Sequence, residues 1–417
     1  MTFISPLEPV GTRLTFSIMD CTPRATKSFS IFRPAVPLRR RFFLALLALS
    51  FAGAWPSFAS GPEGFSSPTG RVLITNTGSN SVSVVDDSTN ALLTTIPVGP
   101  RPIRIVANAD GTRAYVSNFG GNTVTVIDTV RLVVLGDIRV PPQPQESDIT
   151  PDGSRLFVVH HPQQVVSVID LATNKVVKVV TIGDSAGAGQ TATDILFTPN
   201  GRYAFVPNYS ENVVDVIDTT TYEVTPIPTG DQPRRVAVTP NGDRVFVANF
   251  VSGSATAVNV RGLKAIANVN AGTSARGIAA NPFANEIYVT SVGNSAVTVI
   301  DSRSLAILDR IRVGKRPWNV IFNKAGSLAV ISASGSDQIT IIDTATRKVT
   351  QTVPTGNGPF FSVYNSDESK IYVSNSGNNH AFEVGSLTII DASTYDVIST
   401  VRLERQPFDL TFVNPRR

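Results

Sequence analysis

The sequence predicts an all-β fold, a single β-propeller of four-stranded blades, and three observations carry it. A strand ending in V-x-V-I-D recurs along the chain, with steps of 42, 42, 48, 41, 42, 42 and 48 residues between its closing Asp or Asn. Each repeat holds four short β-branched runs set apart by turn residues, and no long stretch has a 3.6-residue period. The first and last units are incomplete in a complementary way. A repeat of this kind cannot bury its two apolar faces alone; packing between two neighbours buries both, and closing the ring removes most exposed edges.

In chain order, residues 1–59 read as a leader. Leu38-Arg39-Arg40-Arg41 precedes an apolar run from Phe42 to Ala54, and small residues follow at Ala52-x-Ala54 and Ser57-x-Ala59. A basic cluster, a short apolar core and a small-x-small site make a secretory signal peptide. The run is too short for the ~20 residues that span a bilayer. The expected location is therefore periplasmic or secreted, with no transmembrane anchor in the mature protein. Arg40-Arg41-Phe42-Phe43-Leu44 also fits the twin-arginine core, so Sec and twin-arginine export both stay open. The basic region is long when counted from Met1 and ordinary when counted from Met19, which leaves the start codon open as well.

The composition is globular, with 417 residues, 42% hydrophobic and 16% charged. The formal charge of +4 misleads, because residues 1–59 carry seven of the 36 basic and two of the 32 acidic residues. The body beyond the leader has 29 basic against 30 acidic residues. A body this close to neutral lacks the electrostatic footprint for nucleic acid. Cys21, Met1 and Met19 all fall in the leader, so the body has neither Cys nor Met. This excludes disulfides, zinc knuckles, Fe–S clusters, c-type haem attachment and a cysteine nucleophile. The body's histidines are His160, His161 and His380, and its single tryptophan is Trp318.

Residues 60–70 read as a linker, 71–413 as the propeller and 414–417 as a tail. The first unit, Arg71–Val98, has the last three strands of a blade. Complete units come next at 102–140, 144–182, 192–229, 233–270, 275–313, 317–353 and 359–402. The chain then ends in a lone first strand, Pro407–Val413, which is expected to complete the first blade as a clasp. That makes eight blades, with seven as the alternative if one irregular unit fails to form. Turns such as Thr150-Pro151-Asp152-Gly153 and Thr239-Pro240-Asn241-Gly242 close the first strand onto the second, with Gly accepting the positive φ.

The Tyr115-Val116-Ser117-Asn118, Phe246-Val247-Ala248-Asn249 and Tyr372-Val373-Ser374-Asn375 strands, the T-P-[D/N]-G turns and the V-I-D-T strands resemble the YVTN β-propeller repeat family. That family includes YncE-like exported bacterial proteins and archaeal surface-layer proteins. The resemblance covers 71–413 and implies the fold; its motifs are structural and say little of function. Two departures stand out: family members are usually seven-bladed, and Asn259 replaces one anchor Asp.

Candidate chemistry is weighed against structural roles. The anchor Asp residues and the strand-end Asn76, Asn118, Asn208, Asn249 and Asn375 read as turn-bonding groups. Gly187–Ala192 satisfies G-x-G-x-x-A, but a strand comes next where a dinucleotide site needs a helix. His160 and His161, read in the loop between second and third strands, and His380, in the corresponding loop of the seventh complete unit, are weaker candidates for a ligand or acid/base role, since adjacent His side chains on extended backbone point apart. Both 48-residue steps contain insertions, Gly183–Thr191 and Ser376–Ser386, expected on one face of the ring. On that face, the position two after the opening Pro reads Arg104, Glu146, Asp194, Arg235, Gly277, Asn319, Phe361 and Asp409. With Trp318 and Phe360 beside it, this ring is the candidate binding site.

The leading expectation is a non-catalytic exported scaffold that binds a polar ligand or a partner protein's loop at its channel mouth. The alternative is a lactonase-like hydrolase, in which Glu146, Asp194 and Asp409 would hold Ca²⁺ or Mg²⁺ through oxygen ligands. A quinone or haem propeller ranks below both. Ligand, partner and oligomeric state are not readable from the residues.

Overall fold

A computed structural model describes residues 70–161, 163–183, 194–377 and 383–415. It contains eight four-stranded antiparallel sheets. The first blade is shared: Arg71–Asn76, Ser81–Asp86 and Leu92–Pro97 are completed by Pro407–Val413 from the other end of the chain. That clasp pairs Arg71 with Val413 and Ile74 with Leu410. Blades two to eight begin with innermost strands Pro102–Ala107, Pro144–Ile149, Leu196–Phe197, Pro233–Val238, Ala275–Ala280, Pro317–Phe322 and Pro359–Tyr364. The fourth blade's innermost strand is much shorter than the sequence suggests.

Each neighbouring pair of blades encloses one apolar cluster, and the eight clusters close the ring. Phe157 and Val159 pack on Phe197 and Val206 between blades three and four, and Ile74 packs on Tyr372 and Leu410 where the eighth blade meets the first. The aromatic of the second strand is the centrepiece. Tyr115, Phe157, Phe205, Phe246, Tyr288 and Tyr372 are all fully buried. Burying each such side chain stabilises the fold by about 1.5–3 kcal/mol.

The recurring polar positions of the repeat are structural. Asp128 accepts the backbone N–H of Val130 (2.9 Å) and Arg131 (2.7 Å), closing its turn. Asp391 does the same with Ser393 and Thr394, and Asn259 replaces the Asp by accepting from Gly262 at 2.9 Å. Asn118 donates to Thr123 and Thr125, and Asn249 to Ser254 and Thr256. Gly99 lies against that first amide, where a Cβ would sit 2.5 Å from Asn118 Nδ2.

One irregularity matters for function. In every blade but the fourth, the register between first and second strands slips just after the opening residue, as between Pro102 and Arg104. The inserted residue is a β-bulge, a device that re-aims side chains.

Candidate functional site

The innermost strands are sheet edges, so part of their backbone needs partners from outside the blade. Two ring carboxylates supply them. Asp409 accepts the N–H of Ile105 in the next blade at 2.9 Å, and Asp194 accepts that of Val236 at 3.0 Å. Gly277 serves the same close packing differently: a Cβ there would lie 2.5 Å from the Trp318 carbonyl oxygen.

The charged ring residues are brought together, and they pair with one another. Arg104 reaches Asp409 and Glu146, both at 3.4 Å. Arg235 reaches Glu146 at 3.3 Å and Asp194 at 3.7 Å, and its guanidinium lies over the Phe361 ring at 5.4 Å. Burial alone would lower the Arg104 pKa, but Asp409, Glu146, Asp148 and Asp194 together raise it above the ordinary value. Burial pushes the Asp194 carboxyl up to about 6 against the opposing pull of Arg235. Asp409 is raised for the same reason, with Arg104 opposing. Asn319 sits half-buried on the seventh blade's innermost strand, on the uncharged arc with Gly277 and Phe361.

Glu146, Asp194 and Asp409 do not fit a Ca²⁺ or Mg²⁺ centre. Two guanidiniums stand among them, two of the three also cap backbone N–H groups, and no metal-holding group of three acidic, His or Cys side chains occurs among the described residues.

His160 is the last residue of its strand rather than part of a loop, and it takes the place of the strand-end Asn. Its Nδ1 lies 3.2 Å from the Pro142 carbonyl oxygen and so carries the proton, leaving Nε2 to accept from the Ser167 hydroxyl at 2.9 Å. His161 Nδ1 lies 3.2 Å from Gln143 Oε1. His380, the Gly187–Ala192 segment, residues 184–191 of the first insertion and residues 378–382 of the second lie outside the described residues.

Above the ion-paired ring the bulges open a cavity of about 290 Å³. Its walls include Ile103, Gln145, Arg234, Arg276, Trp318 and Phe408, each one residue after an opening position, together with Arg101, Phe119, Glu146 and Arg235. Of these, the sequence singled out Glu146, Arg235 and Trp318; it missed the remaining three arginines. The Arg276 guanidinium carbon lies over the Trp318 ring, 3.3 Å from its centre. Trp318 is held edge-on by Phe360, with ring centres 4.6 Å apart. Arg101 lies over Phe119 at 4.9 Å, and Arg234 over both Tyr209 and Phe250 at 4.7 Å. Asp148, two residues beyond Glu146, also faces this charge system, and burial raises its carboxyl to about 6.

Residues 67–196 match the family model of the YncE-like β-propeller. No curated protein matches the sequence. Among solved structures, hydrazine synthase of Kuenenia stuttgartiensis aligns with a TM-score of 0.56 at 23% identity, over 71% of this chain and 96% of that one. The dihydro-heme d1 dehydrogenase NirN aligns with a TM-score of 0.70 at 13% identity, over 85% and 78%. A functionally unknown protein from Desulfotomaculum acetoxidans aligns at 0.54 and 18%, over 68% and 94%. These likenesses speak for the fold alone. No helix among the described residues is long and apolar enough to cross a membrane.

Proposed function

Because the chain is an eight-bladed β-propeller whose residues 67–196 match the YncE-like model, we propose that it acts as an exported, non-catalytic scaffold binding a ligand or a partner's loop at its channel mouth. The observation that carries this reading is the cavity of about 290 Å³ built on the bulged innermost strands. It sits at the lower end of the ~300–1,000 Å³ typical of small-molecule sites and combines apolar walls with a few convergent polar groups. The ion-paired ring beneath it makes a rigid floor. Mutual pairing of Arg104, Glu146, Asp194, Arg235 and Asp409 fits a positioning role for these residues better than acid/base chemistry. Export rests on the basic, apolar and small-residue leader, and mass spectrometry of native protein should find an N-terminus near Trp55 or Ser60 rather than Met1.

Trp318 reports on the cavity. In a Trp55→Phe background it is the only tryptophan. A low-molecular-mass fraction from the exporting cell should change its fluorescence saturably, and filling the cavity by Ile103→Tyr or Gln145→Tyr should abolish the change with circular dichroism intact. Ligand binding that ignores both fillings would overturn the channel-mouth reading. Turnover of a lactone panel with Ca²⁺ or Mg²⁺, lost in Glu146→Gln, would overturn the non-catalytic one.

A further inference from the structure

We propose that the channel mouth receives a small organic oxyanion, a carboxylate or phosphate borne on a flat apolar body. This deepens, and rests on, the reading of the mouth as the binding face. The charge of the cavity wall is one-sided. Among the described residues four arginines line it, with Glu146 as the one acid, already shared between Arg104 and Arg235. Arg276 makes no ion pair among the described residues, and its neighbours of like charge are Arg234, Arg235 and Arg316. Burial and these like charges push its pKa well below the ordinary value. A largely buried cation set among other cations costs stability. The Trp318 face and the pull of Glu146 offset only part of that cost, since the pKa stays well below the ordinary value, whereas a bound anion would offset the rest.

The stacking geometry specifies the kind of anion. An arginine packed on an aromatic face uses its flat side and keeps its in-plane N–H donors for another partner. The Arg276 guanidinium carbon lies 3.3 Å from the Trp318 ring centre, a distance that only the flat side allows, and Arg101 lies over Phe119. Their N–H edges suit the forked geometry of a carboxylate or phosphate. The remaining wall is apolar, with Ile103, Phe119 and Phe408 beside Trp318. A ring-bearing anion satisfies both halves, while a bare inorganic ion satisfies one. A polyanion is disfavoured by the near-neutral body, with 29 basic and 30 acidic residues after position 59.

The test uses the full chain carrying Trp55→Phe, titrated with benzoate, phenyl phosphate, inorganic phosphate and benzyl alcohol and followed by Trp318 fluorescence and calorimetry. Benzoate or phenyl phosphate should bind saturably, with the tighter of the two naming the head group. Benzyl alcohol should fail, and inorganic phosphate should bind at least tenfold more weakly than phenyl phosphate. Arg276→Gln should weaken binding at least tenfold while leaving the melting temperature unchanged or raising it, because like-charge crowding is relieved. If Arg276→Gln does not fold, Arg276→Lys should fold and bind with intermediate strength, since it keeps the charge and loses the fork. Benzyl alcohol binding as tightly as benzoate would overturn the anion assignment, and inorganic phosphate matching phenyl phosphate would overturn the apolar body. If every probe fails while the cell fraction still moves Trp318, the oxyanion inference falls and the channel-mouth reading stands. Silence toward both would sink both.

Discussion

Asp409, on the last strand of the chain, accepts the backbone N–H of Ile105 on the second blade at 2.9 Å. The same carboxylate lies 3.4 Å from Arg104, so one side chain satisfies a sheet edge and a buried cation together. Asp409→Ala should lower the unfolding free energy by about 1–3 kcal/mol, the usual effect of leaving a buried donor unpaired. Asp409→Asn keeps the acceptor and should cost clearly less. Urea melts of the two variants make the comparison; equal losses would show that charge alone matters at this position.

The clasp yields a second prediction. Pro407–Val413 covers the strand Arg71–Asn76 and packs Leu410 against Ile74 and Tyr372. Deleting Gln406–Arg417 exposes that edge and opens two inter-blade clusters. The melting temperature should drop by on the order of 10 °C or more. A truncated chain that melts like its parent would show that the ring is held elsewhere.

Much of this architecture was legible because its signals are local. Asp128 bonds to residues two and three positions on, and Asn118 to residues five and seven on, so each repeat prints its own turns. The shared blade emerged from counting strands. The binding wall was harder to see. The bulge after each opening residue breaks the two-residue alternation, and alternation alone would aim Arg234 and Arg276 away from the channel that Arg235 faces. Stacking of Arg276 on Trp318 joins neighbouring blades and has no counterpart along the chain. Asp148 was within reach, since it lies two residues from Glu146 on the same strand. His160 was misplaced by a shift of element: aligned by repeat, it falls on the strand-end position that Asn118 holds in the second blade.

Asp148 sets a pH signature. Burial raises its carboxyl to about 6, with Arg104 pulling the other way. The folded state therefore holds this proton more tightly than the unfolded chain does. Its stabilising contribution is complete below about pH 4 and is lost as pH rises through 6. Asp148→Asn should be more stable than its parent by about 1–3 kcal/mol at pH 7.5, a gap that closes below pH 4. Denaturant melts across this range measure it. A constant difference between the two curves would mean that Asp148 does not titrate with folding.

His160 works in the opposite direction. Burial lowers its pKa to about 4, with the Pro142 carbonyl offsetting part of the shift. The fold holds the imidazole neutral between Pro142 and Ser167. Its contribution is therefore complete above pH 6.5 and is lost as pH falls toward 4, where the unfolded chain takes up the proton first. Asn fills the equivalent position in other blades, donating to hydroxyls as Asn118 does to Thr123 and Thr125. His160→Asn should fold, and between pH 7 and pH 4 it should gain about 2–3 kcal/mol on its parent. Urea melts of both proteins at pH 7 and 4.5 decide the point. Parallel loss in the two would place the acid sensitivity in other groups and leave His160 as a neutral packing residue.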